Sequence, residues 1–449
     1  MWQLTFAVTA AIVALLAFRL PTIVDLLDLQ KKIVVTGNAA QCEVHGGFKT
    51  DGFEDVVYVN ATVAVACAGG LGTVFHDAEL GKVLAQKSNG SACVLLQWDD
   101  ASRTVSERLM AIEGVPYFGD NSLDGNKILF HVHGMHVITT NQGPVLAAIN
   151  HGYDHGGDGV LFFAVDVPHS TLRFLHHAKL TGDALETYRG TLNEVAVQAL
   201  TFSSTGQLLG GTILLSNYIE FADVAPGVKH WPKPLLLAAT YARSLIGVFN
   251  TKLLKCRFAT LDGDTELKCA AVASGFGMAN GIIVADVPNT PAAQVVVVGD
   301  VILHEMRVFL SVHGSTPEDG REGMIAVHYE HALDNIELDP TDGIVCHNNN
   351  EECVLHFYGG LVASLITASV IDNHGNENLR SPGGLSEFFL AVSLRDNQEL
   401  VSAQLHKANV LVLHNGTFAG TSAGVVLGDR IVLGSYKKQG LLFCPLLEQ

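Results

Sequence analysis

Short hydrophobic segments alternate with polar turns along almost the whole chain after residue 30. The segments are rich in β-branched and aromatic residues, and glycine, asparagine or aspartate separates each one from the next. Segments of this length and composition predict β-strands. They lie at residues 56–59, 61–66, 92–97, 127–132, 136–139, 145–149, 160–165, 194–202, 208–215, 281–285, 294–298, 306–311, 323–328, 354–357, 388–393, 409–413, 423–427 and 430–435.

Many short strands at near-even spacing predict an all-β fold: a pair of sandwiches, a barrel or a propeller. The number of strands favours a six-bladed β-propeller, since a four-stranded blade repeats about every 40–50 residues. No strict repeat marks the blades. We expect residues 30–449 to form one propeller domain with a few helices on one face.

One segment departs from the strand pattern. Residues 231–250 have prolines early, then good helix formers, and are apolar nearly all round. The segment predicts a helix with two alternative roles. It either packs on the propeller face, or forms a lid or a surface that contacts membranes or lipid particles.

The first twenty residues form a hydrophobic leader with one charged side chain, Arg19. It has the length of a signal peptide or a marginal membrane anchor, and no basic start or clean cleavage site accompanies it. We therefore expect residues 1–20 to be retained as an anchor. Sequons at Asn60, Asn89 and Asn415 predict glycosylation. Together these features indicate the secretory pathway, with an extracellular or membrane-anchored product.

Acidic residues outnumber basic ones by 45 to 27, which gives a formal charge of -18. Such a surface repels phosphate backbones, and no basic stripe with interleaved aromatic residues is present, so nucleic acid is excluded as a partner. The excess of carboxylates is compatible with binding a hard cation, and it also serves ordinary solubility.

Four of the eight cysteines flank short polar turns. Cys256 and Cys269 lie on either side of one turn, and Cys346 and Cys353 on either side of another. Each arrangement is typical of a local disulfide across a hairpin, although spacing alone leaves the connectivity open.

The other four cysteines differ in context. Cys67 and Cys93 lie in apolar runs, where we expect buried free thiols. Cys42 lies near the start of the folded part and Cys444 close to its end. A disulfide between them would lock the closure of the propeller ring.

Four segments place oxygen-bearing side chains where a predicted strand meets a loop. Their candidate ligands are Glu54, Asp55, Asn193, Glu194, Asn280, Asp334 and Asn335. Adjacent polar pairs are awkward inside a strand, because successive residues face opposite sides. At strand ends around a central channel they predict a calcium site, since calcium takes about six to eight oxygen ligands. A transition metal is disfavoured, because these segments hold no His or Cys group at zinc spacing. Taken alone, each pair is more typical of a turn or a strand cap than of a metal site.

These segments resemble, in order and in context, those of the serum paraoxonase/arylesterase family. The similar segments are Cys42 with the following Glu54–Asp55 pair, His131-Val-His-Gly-Met, Ala148-Ile-Asn-His-Gly, Thr191-Leu-Asn-Glu-Val-Ala-Val, Gly275-Phe-Gly-Met-Ala-Asn-Gly-Ile, Ala332-Leu-Asp-Asn-Ile-Glu-Leu-Asp-Pro, Asn415-Gly-Thr and Leu442-Phe-Cys. The resemblance spans residues 40 to 445. It implies a six-bladed propeller with two central calcium ions, one catalytic and one structural.

The resemblance also implies roles for individual residues. It assigns the catalytic calcium to Glu54, Asn193, Asn280, Asp334 and Asn335, and the structural calcium to Asp55, Glu194 and the carbonyl of Met135. It assigns a general-base dyad to His133 and His151, and the closing disulfide to Cys42 and Cys444. The sequence departs from the family at Glu194, where the family has aspartate, and at Met278, where it has an active-site phenylalanine. Both departures bear on how far the family's properties carry over.

The expected function is calcium-dependent hydrolysis of small carboxylic esters and lactones, with the metal polarising the carbonyl group. Either the His dyad or Glu54 would activate water. A serine hydrolase is a weaker alternative: Ser422 is centred in a Gly-x-Ser-x-Gly match, but a strand-like run follows and no histidine lies beyond His414. Two others are a gluconolactonase-like propeller and a non-catalytic, calcium-stabilised propeller that binds lipid or protein.

Overall fold

The computed structural model describes residues 34–45, 51–69, 92–115, 131–151, 158–188, 190–219, 250–260, 266–288, 290, 293–312, 324–347, 351–362, 382–395, 399–414, 416 and 418–447. The leader at 1–20, the sequons at Asn89 and Asn415 and the segment 231–249 lie outside the described residues.

The described residues form an all-β structure with two short helical elements, a 3-10 helix at Gly37–Gln41 and helix α1 at Gly182–Tyr188. The first and the last of the described strands belong to one eight-stranded sheet. Its strands are β1 (Glu43–His45), β2 (Asp51–Asn60), β3 (Val63–Ala68), β4 (Ala92–Asp99), β5 (Thr104–Leu109), β24 (Thr421–Leu427), β25 (Arg430–Gln439) and β26 (Leu441–Pro445).

Four further sheets contain four or five strands each, the size of a propeller blade. The second sheet comprises β6 (Ala111–Glu113), β7 (Val132–Thr140), β8 (Gly143–His151), β9 (Asp158–Asp166) and β10 (Thr171–Lys179). The third comprises β11 (Leu192–Phe202), β12 (Leu208–Asn217), β13 (Thr251–Ala259) and β14 (Lys268–Phe276). The fourth comprises β15 (Ala279–Asp286), β16 (Ala293–Asp300), β17 (Glu305–Val312) and β18 (Ile325–His328). The fifth comprises β19 (Ala332–Leu338), β20 (Ile344–His347), β21 (Glu352–Val362), β22 (Gly383–Arg395) and β23 (Glu399–His414). The strand pairings are antiparallel except for that of β6 with β10.

Hydrophobic cores fill the spaces between adjacent sheets. Val297, Phe357 and Phe388 belong to one core between the fourth and fifth sheets, and Leu95 and Phe163 belong to another between the first and second. Burying one such side chain stabilises the fold by about 1.5–3 kcal/mol. Sheets packed face to face in this way give a propeller-like arrangement, which confirms the predicted all-β class.

The strands β2, β7, β11, β15, β19 and β24 contact one another in chain order, and β24 also contacts β2. We call these the inner strands. The contact between β24 and β2 joins the last inner strand to the first. A disulfide between Cys42 and Cys444 spans the same junction and confirms the predicted pairing.

The other disulfides confirm one expectation and overturn another. Cys256 pairs with Cys269, and Cys346 with Cys353, each across neighbouring strands as predicted. The expectation that Cys67 and Cys93 are free thiols was wrong, because they also form a disulfide. Strands β3 and β4 place these two residues directly opposite each other, with Cα atoms 4.0 Å apart. An apolar run marks a buried strand as well as a buried thiol, so the sequence did not separate the two cases.

Four disulfide bonds are typical of a protein that folds in an oxidising compartment, such as the secretory pathway or the cell exterior. No helix in the described part of the chain is both long enough and apolar enough to cross a membrane.

Candidate functional site

All six inner strands have an irregular register at the same place, close to their first residue. The irregularities lie between Phe53 and Asp55, Val132 and Met135, Leu192 and Val195, Ala279 and Ile282, Leu333 and Ile336, and Thr421 and Ala423. An irregularity of this kind breaks the alternation of side chains and re-aims them. The adjacent polar pairs that the sequence singled out lie at these positions, which explains how a strand accommodates them.

Two glycines allow neighbouring inner strands to approach closely at the site. A Cβ atom added at Gly134 would lie 2.3 Å from the carbonyl oxygen of Asn193 and 2.7 Å from Cδ of Glu194. One added at Gly281 would lie 2.6 Å from the carbonyl oxygen of Asp334. Any larger residue would therefore push the ligand-bearing strands apart.

Glu54 connects three of the inner strands. Its Oε1 lies 3.4 Å from Nε2 of His133 on β7, and its Oε2 accepts a 3.1 Å hydrogen bond from Nδ2 of Asn335 on β19. Burial raises the pKa of Glu54 to about 8, against the opposing effects of the bond from Asn335 and of nearby His151. Without a cation, this carboxyl group is therefore largely protonated at neutral pH.

The asparagine side chains are oriented by their amide nitrogens. Nδ2 of Asn335 donates to Glu54, and Nδ2 of Asn193 donates to Nε2 of His133 at 3.1 Å. The oxygens Oδ1 of Asn193, Asn280 and Asn335 are buried and have no hydrogen-bond partner among the described residues. A buried carbonyl oxygen without a partner carries an energetic cost of about 1–3 kcal/mol and calls for an explanation. A bound cation is one that suits amide oxygens.

Asn280 and Asp334 complete the predicted ligands of the catalytic calcium, which we call the outer set. Both are buried, and the close approach of Gly281 to the backbone of Asp334 sets their strands β15 and β19 side by side. The structure thus brings the five predicted ligands of the catalytic calcium to the same level of the inner strands.

His133 and His151 form the predicted pair, with Nδ1 of His133 2.9 Å from Nε2 of His151. Nδ1 of His133 also lies 3.1 Å from the carbonyl oxygen of Leu192, which only accepts, so Nδ1 carries the proton. Nε2 of His133 then presents its lone pair to Asn193 and Glu54. Burial lowers the pKa of His133 to about 3 and keeps the ring neutral.

Asp158 is a site residue that the sequence analysis missed. Its Oδ2 lies 3.7 Å from Nδ1 of His151 and accepts a hydrogen bond from the backbone N–H of Gly190. Asp158 begins β9, where it looks like an ordinary residue of a glycine-rich turn. It extends the histidine pair into a row of three groups.

Asp55 belongs to a second group of carboxylates, which lies beside Glu54. Oδ2 of Asp55 accepts a 2.7 Å hydrogen bond from the backbone N–H of Met135. Burial raises the pKa of Asp55 to about 8, and the charge of Glu54 adds to this while hydrogen bonds with Met135, Val56 and Glu194 oppose it. Asp55 therefore contacts Glu194 and the backbone N–H of Met135, whereas the predicted calcium ligand is the carbonyl oxygen of Met135.

Glu337, on β19, was also missed by the sequence analysis. Burial raises its pKa well above the ordinary value and the charge of Asp55 adds to the shift. Its Oε1 accepts a hydrogen bond from the backbone N–H of Tyr58. Burial, followed by the charges of Asp55, Glu54 and Glu337, likewise raises the pKa of Glu194. A cation would relieve this repulsion.

Within the described residues, no group of three or more His, Cys, Asp or Glu side chains has the spacing of a metal site. The outer set has only two carboxylates, so its remaining donors are amide oxygens. The carboxylates of the second group do not by themselves converge on one point.

Tyr218 and Met278 are both half-buried; Tyr218 contacts His133, and Met278 directly precedes the strand β15 that carries Asn280. The ring of Tyr218 meets that of His133 edge-on at 5.6 Å between centroids, a contact that the sequence did not indicate. Met278 has its backbone N–H bonded to the buried Asp300. These two residues are candidates for the wall that a substrate would touch.

No family model and no curated protein matches this chain. Solved structures similar to it include a thermostable family-43 glycoside hydrolase (9% identity, 81% of this chain and 94% of that one, TM-score 0.37). Others are Bacillus subtilis levansucrase (10% identity, 86% and 90%, TM-score 0.36) and an oligogalacturonate lyase in complex with manganese (10% identity, 91% and 90%, TM-score 0.33). None of these is a paraoxonase. With TM-scores below 0.5, these likenesses carry no argument about function.

Proposed function

We propose that this chain is a calcium-dependent hydrolase of small carboxylic esters and lactones, similar to the serum paraoxonase/arylesterase family. The observation that carries the proposal is a set of three buried oxygens, Oδ1 of Asn193, Asn280 and Asn335, that have no hydrogen-bond partner within the described part of the chain. They lie at the same level of the inner strands as Glu54 and the histidine pair.

The proposed architecture is a six-bladed propeller. The eight-stranded sheet would then be two blades joined edge to edge by the pairing of Phe53 on β2 with Ser435 on β25. One blade comprises β2–β5. The other comprises β24–β26 and takes β1 from the beginning of the chain. Six inner strands, each with one irregularity at the same level, support this count.

The catalytic calcium would be held by Glu54, Asn193, Asn280, Asp334 and Asn335. Five side chains leave room for water and substrate in a shell of about six to eight oxygens. When bound, calcium would polarise the carbonyl group of the substrate and stabilise the developing oxyanion. A second, structural calcium would be held by Asp55, Glu194 and the carbonyl of Met135, with the Glu337 carboxylate nearby.

Side chains of the protein would carry out the proton transfer. Nε2 of His133 carries the lone pair of the ring on the side of the ligands, where it accepts the hydrogen bond from Nδ2 of Asn193. It would accept a proton from an attacking water that displaces this bond. His151 accepts a hydrogen bond from His133, and Asp158 lies behind it, so these two residues would hold the ring in place. Glu54 is the alternative base, since a carboxylate beside the metal also activates water.

Hydrolysis of phenyl acetate and of a δ-lactone, with and without EGTA, tests the proposal. Replacement Asn280→Ala should abolish calcium-dependent hydrolysis while the protein stays folded. Removal of a residue that only hydrogen-bonds a metal ligand typically lowers activity by about 10–100-fold, so we expect the loss of a ligand itself to be at least as large. Asn409→Ala, on the outer strand β23, is the matched control and should keep full activity. Turnover that is unchanged in EGTA would remove the metal from the mechanism.

The identity of the base needs calcium affinity as a second readout. His133→Gln should lower the rate and leave calcium binding intact, whereas Glu54→Gln should weaken both, because Glu54 is also a ligand. The exposed His169 provides a control, as His169→Gln should change neither. A His133→Gln variant with the full rate would assign the base to Glu54. Calcium binding without any hydrolysis would favour the non-catalytic propeller.

We further propose that the protein is extracellular or faces the lumen, and that residues 1–20 and 231–250 associate it with membranes or lipid particles. Asn60 is the exposed last residue of β2, and its Oδ1 accepts hydrogen bonds from both N and Oγ1 of Thr62, within the sequon. This site is therefore open to a glycosyltransferase. A loss of mass on treatment with peptide-N-glycosidase F that is smaller by one glycan in Asn60→Gln tests it.

A further inference from the structure

The sixth inner strand contributes a serine where the other five contribute ligands or a histidine. Its irregularity lies between Thr421 and Ala423, which places Ser422 at the level of Glu54 and Asn335. Ser422 is completely buried. A Cβ atom at Gly360 of β21 would lie 2.2 Å from the carbonyl oxygen of Ser422, so the surrounding backbone is tightly packed.

The hydroxyl group of Ser422 contacts the proposed calcium ligand Glu54. Its Oγ donates a 2.5 Å hydrogen bond to the backbone carbonyl oxygen of Glu54. The same oxygen lies 3.3 Å from Nδ2 of Asn335, which also donates to the Glu54 carboxylate. Two strands, β19 and β24, therefore each donate a hydrogen bond to the same carbonyl oxygen of Glu54. Since the register of β2 is irregular here, these bonds help to set the direction of its carboxylate.

The surroundings of Ser422 do not suit a nucleophile. The hydroxyl group of Ser422 donates its proton to a carbonyl oxygen. Residues 421–427 form a strand, whereas a nucleophile elbow needs a helix after the serine. Nδ1 of His414 accepts a hydrogen bond from the backbone N–H of Gly416, so its Nε2 carries the proton and donates to Oγ1 of Thr421. Both nitrogens of His414 are thus engaged away from Ser422.

We propose that Ser422 is a positioning residue that aims the carboxylate of Glu54 into the cation site. This inference rests on the proposed function, because it assigns Ser422 a task only if Glu54 binds calcium. It predicts that the hydroxyl group affects calcium affinity more than it affects folding.

The test compares Ser422→Ala and Ser422→Thr with Ser435→Ala. Ser435 is equally buried and donates to the carbonyl oxygen of Ala419, which is outside the site. Calcium affinity by calorimetry, melting temperature in EGTA, and kcat and KM are measured. We expect Ser422→Ala to weaken calcium affinity about 10-fold and lower kcat, and Ser422→Thr to restore both. Ser435→Ala should lower only the melting temperature.

Each contrary result has a separate meaning. Ser422→Ala with wild-type calcium affinity overturns the inference, as does a loss of affinity that Ser435→Ala reproduces. A fluorophosphonate adduct that forms on the wild type and not on Ser422→Ala would make Ser422 a nucleophile and also overturn it. If Ser422→Ala does not fold, Ser422→Cys keeps the volume with a weaker donor. A wild-type protein that neither binds calcium nor hydrolyses esters would instead sink the proposed function and this inference with it.

Discussion

The Cys42–Cys444 disulfide closes the ring and should contribute more to stability than any other crosslink. Its two cysteines are 402 residues apart in sequence, whereas Cys346 and Cys353 are 7 apart. In the chain-entropy model, a crosslink stabilises by restricting the unfolded chain, and the effect grows with the logarithm of the loop length. This gives about 6 kcal/mol for the long loop and about 2.4 kcal/mol for the short one at 25 °C.

The two bonds form a matched pair for a test. Each has one buried and one half-buried cysteine, so replacement of both partners by alanine removes similar packing in the two cases. The free energy of unfolding is measured by urea denaturation in EGTA, so that bound calcium does not contribute. The Cys42→Ala/Cys444→Ala variant should lose about 3.5 kcal/mol more than Cys346→Ala/Cys353→Ala. Equal losses would refute the view that the long bond acts by closing the ring.

Two other predictions concern the site. Burial raises the pKa of Glu54 and of Asp55 to about 8. Because these folded-state pKa values lie above those of the unfolded chain, the contribution of the two groups to stability is complete at low pH. That contribution is lost as the pH rises through about 8. The melting temperature in EGTA should therefore fall between pH 6 and 9, and the gain on adding calcium should widen; a constant gain would contradict this. Gly281→Ala should lower both stability and calcium affinity, because its Cβ would meet the backbone of Asp334, whereas Gly37→Ala meets nothing within 4 Å and should be neutral in both measurements.

Much of the strand pattern was predictable, because buried strands need apolar residues and turns need glycine, asparagine or aspartate. The polar pairs were conspicuous for the opposite reason, since they break that pattern at Glu54–Asp55 and Asp334–Asn335. The irregular register that accommodates them depends on the partner strand, so the sequence of one strand does not reveal it.

Residues whose role depends on a distant strand were missed. Glu337 lies between the apolar Ile336 and Leu338, where alternation predicts a solvent-exposed side chain, yet it is half-buried and accepts a hydrogen bond from the backbone N–H of Tyr58 on β2. Asp158 gains its place beside His151 only through the pairing of β8 with β9. Tyr218 meets His133 across two sheets. Contacts of this kind follow from tertiary register, which local patterns do not encode.

The irregularities on the inner strands separate the scaffold from the chemistry. Each inner strand directs one or two side chains toward the centre of the arrangement from the position where its register is irregular. Other residues form the hydrophobic cores between the sheets. Substitutions at these six positions can therefore alter the charge and donor type around the axis one strand at a time. Substitutions at these positions in a related chain could therefore change which ion or substrate it binds, while the strands of every blade stay the same.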